Sequence, residues 1–130
     1  MRGRLPGKVF LGGQSYGGRQ ATMLAAEQPD VAGALLLLSY PLHPPGRPEN
    51  LRTAHFPQLT TPAVFAHGTR DPFGSLDEMR AALELIPAPH RLIAIEGAGH
   101  DLKAKGSATQ IVNAALDAFE NLLNYKIGRA

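Results

Sequence analysis

The chain has 130 residues, enough for one domain with a real core and too few for two. Its 13 Lys and Arg against 11 Asp and Glu leave a net charge of +2, so no basic face for nucleic acid is implied. The lack of cysteine excludes disulfides and thiolate metal sites and suits a cytoplasmic protein, and no apolar run approaches the roughly 20 residues of a membrane helix. Met1 to Lys8 is charged but is followed by no signal-peptide apolar region.

From Lys8 to Gly13 the apolar residues Val9, Phe10 and Leu11 are consecutive, which predicts a buried parallel strand, covered on both faces. Tyr16 to Gln28 carries the helix formers Ala21, Met23, Leu24, Ala25 and Ala26, and Pro29 ends the run because the residue before a proline disfavours helix. Gly33 to Ser39 is leucine-rich, but it is short and glycine-bounded, so its length assigns it to a second strand. Pro41 to Pro48 holds too much proline for helix or interior strand and reads as a stiff loop, with a short helical turn expected over Glu49 to Ala54. Ala63 to His67 is a third strand, and Gly68 to Gly74 the turn after it. Ser75-x-x-Glu78 is a capping box opening a helix with Leu76, Met79, Leu83 and Ile86 on one face, stopped at Pro87. Arg91 to Ile95 is a fourth strand, followed by the loop Glu96 to Asp101. Ser107-x-x-Gln110 then caps a last helix with Ile111, Ala115, Ala118 and Leu122 in a stripe. This alternation predicts an α/β fold, a doubly wound parallel sheet of about four strands with helices on both faces.

In such sheets the working residues sit at the carboxyl ends of the strands, which selects Ser15, His43, Asp71 and His100. The pattern Gly13-x-Ser15-x-Gly17 follows an apolar run and opens a helix, the strand-turn-helix setting of a nucleophile elbow. Glycine is expected on both sides of the serine because side chains there would collide with the crossing strand and helix. A serine hydroxyl becomes a useful nucleophile only when a base takes its proton and a carboxylate fixes that base. Ser15, Asp71 and His100 supply those three roles from three different strand ends. Asp71 has an ordinary alternative as a turn carboxylate before Pro72, and His100 as a surface histidine. The small residues Gly97, Ala98 and Gly99 nevertheless allow the tight bend that would bring the imidazole inward. Asp101 is expected to point elsewhere, and His67 to be a core histidine. Gln14 and His43 are candidate substrate contacts. The five histidines show no metal-binding spacing, and no cofactor is implied.

The elbow, the Asp71 turn and the His100 loop, in the order Ser, Asp, His, resemble the α/β-hydrolase superfamily over nearly the whole chain. Gly13 to Arg19, Leu38 to Pro48 and His67 to Gly74 are more narrowly similar to the hydrolase-like domain of bacterial dienelactone-hydrolase-like proteins. A testis-expressed protein and a subunit of the non-specific-lethal complex share that domain. The stretch Ser39-Tyr40-Pro41-Leu42-His43-Pro44-Pro45-Gly46 is the most specific piece. The resemblance implies a Ser15, Asp71, His100 triad acting on esters or related acyl substrates. It also implies about eight strands with the elbow after the fifth, so residues 1–130 read as an N-terminally truncated single domain, the C-terminal half of the fold. The resemblance implies the Tyr16 N–H as one oxyanion donor, and the second oxyanion amide would then be missing, at a cost of about 10²–10³ in rate.

Two classes of function follow. The first is a serine hydrolase for small or flexible acyl substrates, since the short connection between the second and third strands leaves no room for a large lid. The second is a non-catalytic interaction module. In either, the elbow strand is expected at a sheet edge, which tends to pair and so predicts a homo-oligomer or a partner that completes the sheet.

Overall fold

The computed structural model describes residues 10–102, 109–111, 113–117 and 120–121. Four strands, β1 (Phe10–Gln14), β2 (Ala34–Leu38), β3 (Ala63–Gly68) and β4 (His90–Ile95), form one parallel sheet in the order β1-β2-β3-β4. Helix α1 (Tyr16–Glu27) joins the first pair and α2 (Leu76–Leu83) the last. Lys8 and Val9 of the expected first strand, the Ser107 cap, and Ala118 and Leu122 of the last stripe lie outside the described residues.

Alternation of side chains across the sheet builds two cores. On one face Leu35 and Leu37 of β2 and Ala63 and Phe65 of β3 pack with Ala21 and Ala25 of α1 and with Met79, Ala82 and Leu83 of α2. Right-handed crossovers that step the same way along a sheet leave their helices on the same side. On the opposite face Ala34 and Val64 meet Ala115, and Ile111 packs beside Ala66 and Ile95; both residues belong to helical stretches within 109–121. Helices therefore cover both faces, and β2 and the Ala63 to Ala66 run of β3 are apolar without interruption because both of their faces are largely covered.

The capping box of α2 is present: Glu78 N–H donates to Ser75 Oγ at 3.1 Å while Ser75 N–H donates to Glu78 Oε1 at 2.8 Å. The helix ends at Leu83, short of Pro87. Its last turn tightens through Leu85 N–H to Ala82 O and Ile86 N–H to Leu83 O, which keeps Ile86 buried. The helical turn expected over Glu49 to Ala54 does not form. A 3₁₀ turn lies at Phe56–Gln58 instead, because the buried Phe56 ring docks edge-on to Tyr40 at 5.3 Å between centroids. The Tyr40 hydroxyl donates to Arg52 O at 2.7 Å, so the proline loop is fastened at its far end. Burial pushes the Tyr40 phenol up to about 12.

Candidate active site

The elbow is made by close approach of backbone. A Cβ on Gly13 would stand 2.5 Å from the Gly17 carbonyl carbon and 2.7 Å from Gly18 N, and one on Gly18 would stand 2.9 Å from Gly13 O. Gly17 differs from the expectation. Nothing lies within 4 Å of the place its Cβ would take, because the strand meets its main chain while its α-hydrogens face outward. The turn leaves Ser15 at φ 53°, in the left-handed region that non-glycine residues seldom occupy. Its N–H donates to Leu38 O at 2.7 Å, tying the elbow to the end of β2.

The loops after β3 and β4 dock on each other through small residues. A Cβ on Gly68 would collide with the carbonyl oxygens of Ala98 and Gly99. Arg70 N–H donates to Ala98 O at 2.9 Å, Gly97 N–H donates to Thr69 Oγ1 at 2.8 Å, and Gly97 turns at φ 79°. This contact carries His100 back over the sheet to Asp71. His100 Nδ1 lies 2.8 Å from Asp71 Oδ2, and Ser15 Oγ lies 2.7 Å from His100 Nε2. The buried carboxylate accepts a hydrogen bond from Nδ1–H and so keeps the proton on that nitrogen, which leaves Nε2 bare to accept the hydrogen of Ser15. The other Asp71 oxygen accepts from Phe73 N–H at 2.8 Å, which holds the carboxylate plane.

An open pocket of about 610 Å³ lies at this point, lined by Gln14, Ser15, Pro72, Gly99, His100 and Asp101. Gln14 and Asp101 thus both line the pocket, while the carboxylate that meets His100 is that of Asp71. Tyr16 opens α1, where first-turn amides have no acceptor within the helix and face the helix mouth. His43 is not in the pocket. It is buried, with Nδ1 at 2.8 Å from Pro44 O and Nε2 at 2.9 Å from Glu78 Oε1. Burial works against its charge, but the Glu78 carboxylate and the Pro44 carbonyl outweigh it and hold His43 above the usual imidazole range. Glu78 is held below the usual carboxylate range by that histidine and by Ser75 N–H.

His67 is a core histidine, as expected, yet it also touches the acid loop. Its Nε2 donates to Gly74 O at 2.6 Å and stands 3.7 Å from Asp71 Oδ2, and burial pushes it down from the usual imidazole range. Phe73 lies against the His100 ring, with centroids 4.1 Å apart. Neither contact was readable from spacing, since each depends on how the loop folds back. Among the described residues no cluster of three or more His, Cys, Asp or Glu is placed to hold a metal, and no helix is long and apolar enough to cross a membrane.

A parallel sheet with a serine on a strained strand-helix turn, a histidine and an aspartate at successive strand ends defines a hydrolase architecture. The family described as an alpha/beta hydrolase domain matches residues 3–125, and the chain belongs to it. Dienelactone hydrolase from Anabaena variabilis superposes with a TM-score of 0.68 at 27% identity, over 88% of this chain and 49% of that one. An alpha-beta serine hydrolase homologue from Coxiella burnetii gives 0.60 at 18% identity, over 87% of this chain and 48% of that one. A monoacylglycerol lipase from Paleococcus ferrophilus gives 0.71 at 12%, over 85% and 68%. The chain spans about half the length of the first two proteins.

Proposed function

We propose that this hydrolase is a serine enzyme that cleaves ester or related acyl bonds through an acyl-Ser15 intermediate. The observation that carries the reading is the continuous path from Ser15 Oγ to His100 Nε2 at 2.7 Å and from His100 Nδ1 to Asp71 Oδ2 at 2.8 Å. His100 takes the Ser15 proton as Oγ attacks the acyl carbon, and Asp71 steadies the imidazolium that results. The Tyr16 N–H stabilises the oxyanion. His100 then gives the proton to the leaving group, and water repeats the sequence to free the serine. The open pocket, with Gln14 on its wall, favours a small or flexible acyl substrate. A cytoplasmic setting belongs to this reading and is supported by a composition without cysteine.

Labelling with a fluorophosphonate probe tests it. The native chain should label and Ser15→Ala should not; equal labelling of the two, or none in the native chain, overturns the proposal. A second reading is favoured by β1, which among the described residues pairs with β2 alone. Its free edge would then associate with a second copy of the chain or with a partner strand, whether or not the serine acts. Light scattering should show association that Phe10→Lys abolishes. A native monomer at all concentrations would remove this reading.

A further inference from the structure

Phe73 touches both of the residues on which Ser15 depends. Its ring lies on the His100 imidazole with planes 27° from parallel and centroids 4.1 Å apart, and its N–H donates to Asp71 Oδ1 at 2.8 Å. Asp71 in turn holds His100 through its other oxygen. Acid, base and phenylalanine thus close a ring of three contacts, one through main chain and two through side chains. The main chain carrying this ring is itself pinned on both sides. Phe73 O accepts from His43 N–H at 3.0 Å, and the next carbonyl, Gly74 O, accepts from His67 Nε2 at 2.6 Å. His43, at the centre of the proline-rich stretch, therefore serves the acid loop from outside the pocket.

We propose that Phe73 is a positioning residue for His100: its ring fixes the plane of the imidazole and shelters the cation formed when Nε2 takes the Ser15 proton. The inference rests on the serine-hydrolase reading given above. In that step the Ser15 O–H bond breaks and an Nε2–H bond forms, so the ring carries a positive charge until the proton passes to the leaving group. An aromatic face is negative at its centre and attracts such a cation, and a stacked ring also resists rotation that would break both hydrogen bonds of the imidazole. The titratable groups around His100 are Asp71 at Nδ1, Ser15 at Nε2, His67 from β3, and Asp101 in its own loop on the pocket wall. Replacing the Phe73 side chain leaves all of them in place, together with the main-chain bond to Asp71.

The test uses the whole 130-residue chain as native, Phe73→Leu and Phe73→Tyr. Two quantities are read across pH: the His100 ring resonances by NMR, and the rate of labelling by a fluorophosphonate. Phe73→Leu keeps bulk but loses the aromatic face. Its His100 should titrate at lower pH, and its labelling plateau should fall roughly 3- to 10-fold. Phe73→Tyr should stay within about twofold of native in rate and match its titration. The proposal is overturned if Phe73→Leu titrates like the native chain, or if Phe73→Tyr is as impaired as Phe73→Leu, which would mark Phe73 as filling space only. Absence of Ser15-dependent labelling in the native chain would sink the hydrolase reading instead, while the His100 titration would still decide whether Phe73 acts on the base.

Discussion

The elbow at Gly13 to Gly18 and the acid loop at Asp71 to Ser75 hold their residues by opposite means. At the elbow, side chains are absent so that backbone can meet backbone, and a Cβ on Gly13 would stand 2.5 Å from the Gly17 carbonyl carbon. In the acid loop, groups are added: Asp71 Oδ1 accepts from Phe73 N–H, Phe73 O from His43 N–H, and Gly74 O from His67 Nε2. A sterically defined turn tolerates no added atom at its points of contact, whereas a hydrogen-bonded loop tolerates changes of size but not of donor and acceptor pattern. The serine therefore sits on the rigid construction and the carboxylate on the adjustable one.

The largest effect should come from breaking the acid loop chemically without moving it. Asp71→Asn keeps an oxygen for Phe73 N–H but presents an amide to His100 Nδ1, which favours the wrong tautomer. Labelling of Ser15 should fall by about 10⁴, with the denaturant midpoint changed little. A midpoint that collapses would show that the loop is not adjustable in the sense argued. Next comes the elbow. Gly13→Ala forces a Cβ into main-chain atoms that cannot swing aside, and urea unfolding should show a loss of about 3 kcal/mol or more. Retention of native stability would contradict the steric account.

A smaller effect probes the ion pair behind the acid loop by pH. The His43 pKa is raised on folding, so its contribution is complete below the ordinary imidazole value of 6.5 and fades as pH rises through the folded value. The Glu78 pKa is lowered, so its contribution is complete above the ordinary 4.5 and fades as pH falls through the folded value. The stability difference between the native chain and Glu78→Gln should be widest between these two values and narrow on both sides. A difference that stays constant to high pH would mean that His43 is not charged. The smallest effect is expected at Gly17→Ala. Its Cβ enters open space on a helix, so stability should hold or rise by up to about 1 kcal/mol, with labelling kept.

The same contrast explains what could be read from the residues alone. Gly13, Ser15 and Gly18 form a local steric pattern, and the four strands followed from apolar runs separated by helical ones. Ser15, Asp71 and His100, which the structure links in one chain of hydrogen bonds, could be singled out because each follows a run that could be recognised. Gly17 was assigned a steric duty it does not have, since the sequence cannot tell on which side of its main chain the strand passes. His43 was expected at the substrate because its neighbours leave β2 near the site. Its actual partner, Glu78, is 35 positions away and is reached only by folding of the proline loop. The ring contact of Phe73 with His100 and the bond from His67 to Gly74 have no period to announce them. Helix was expected near Glu49, but burial of Phe56 against Tyr40 shifted the turn along the chain.

Ser15 and His100 are 85 positions apart, and every neighbouring pair of strands is parallel, so no hairpin can bring any two of them together early. Closing so long a stretch of chain is entropically unfavourable until intervening contacts exist, and sheets of this kind order slowly. The Ser15 to His100 hydrogen bond then belongs to the last events of folding, after β4 has docked on β3. A chain still emerging from synthesis, or trapped part way, holds its serine with no base beside it. On the serine-hydrolase proposal, Ser15 gains its base only when the sheet is complete, so a partly folded copy should not label at that residue.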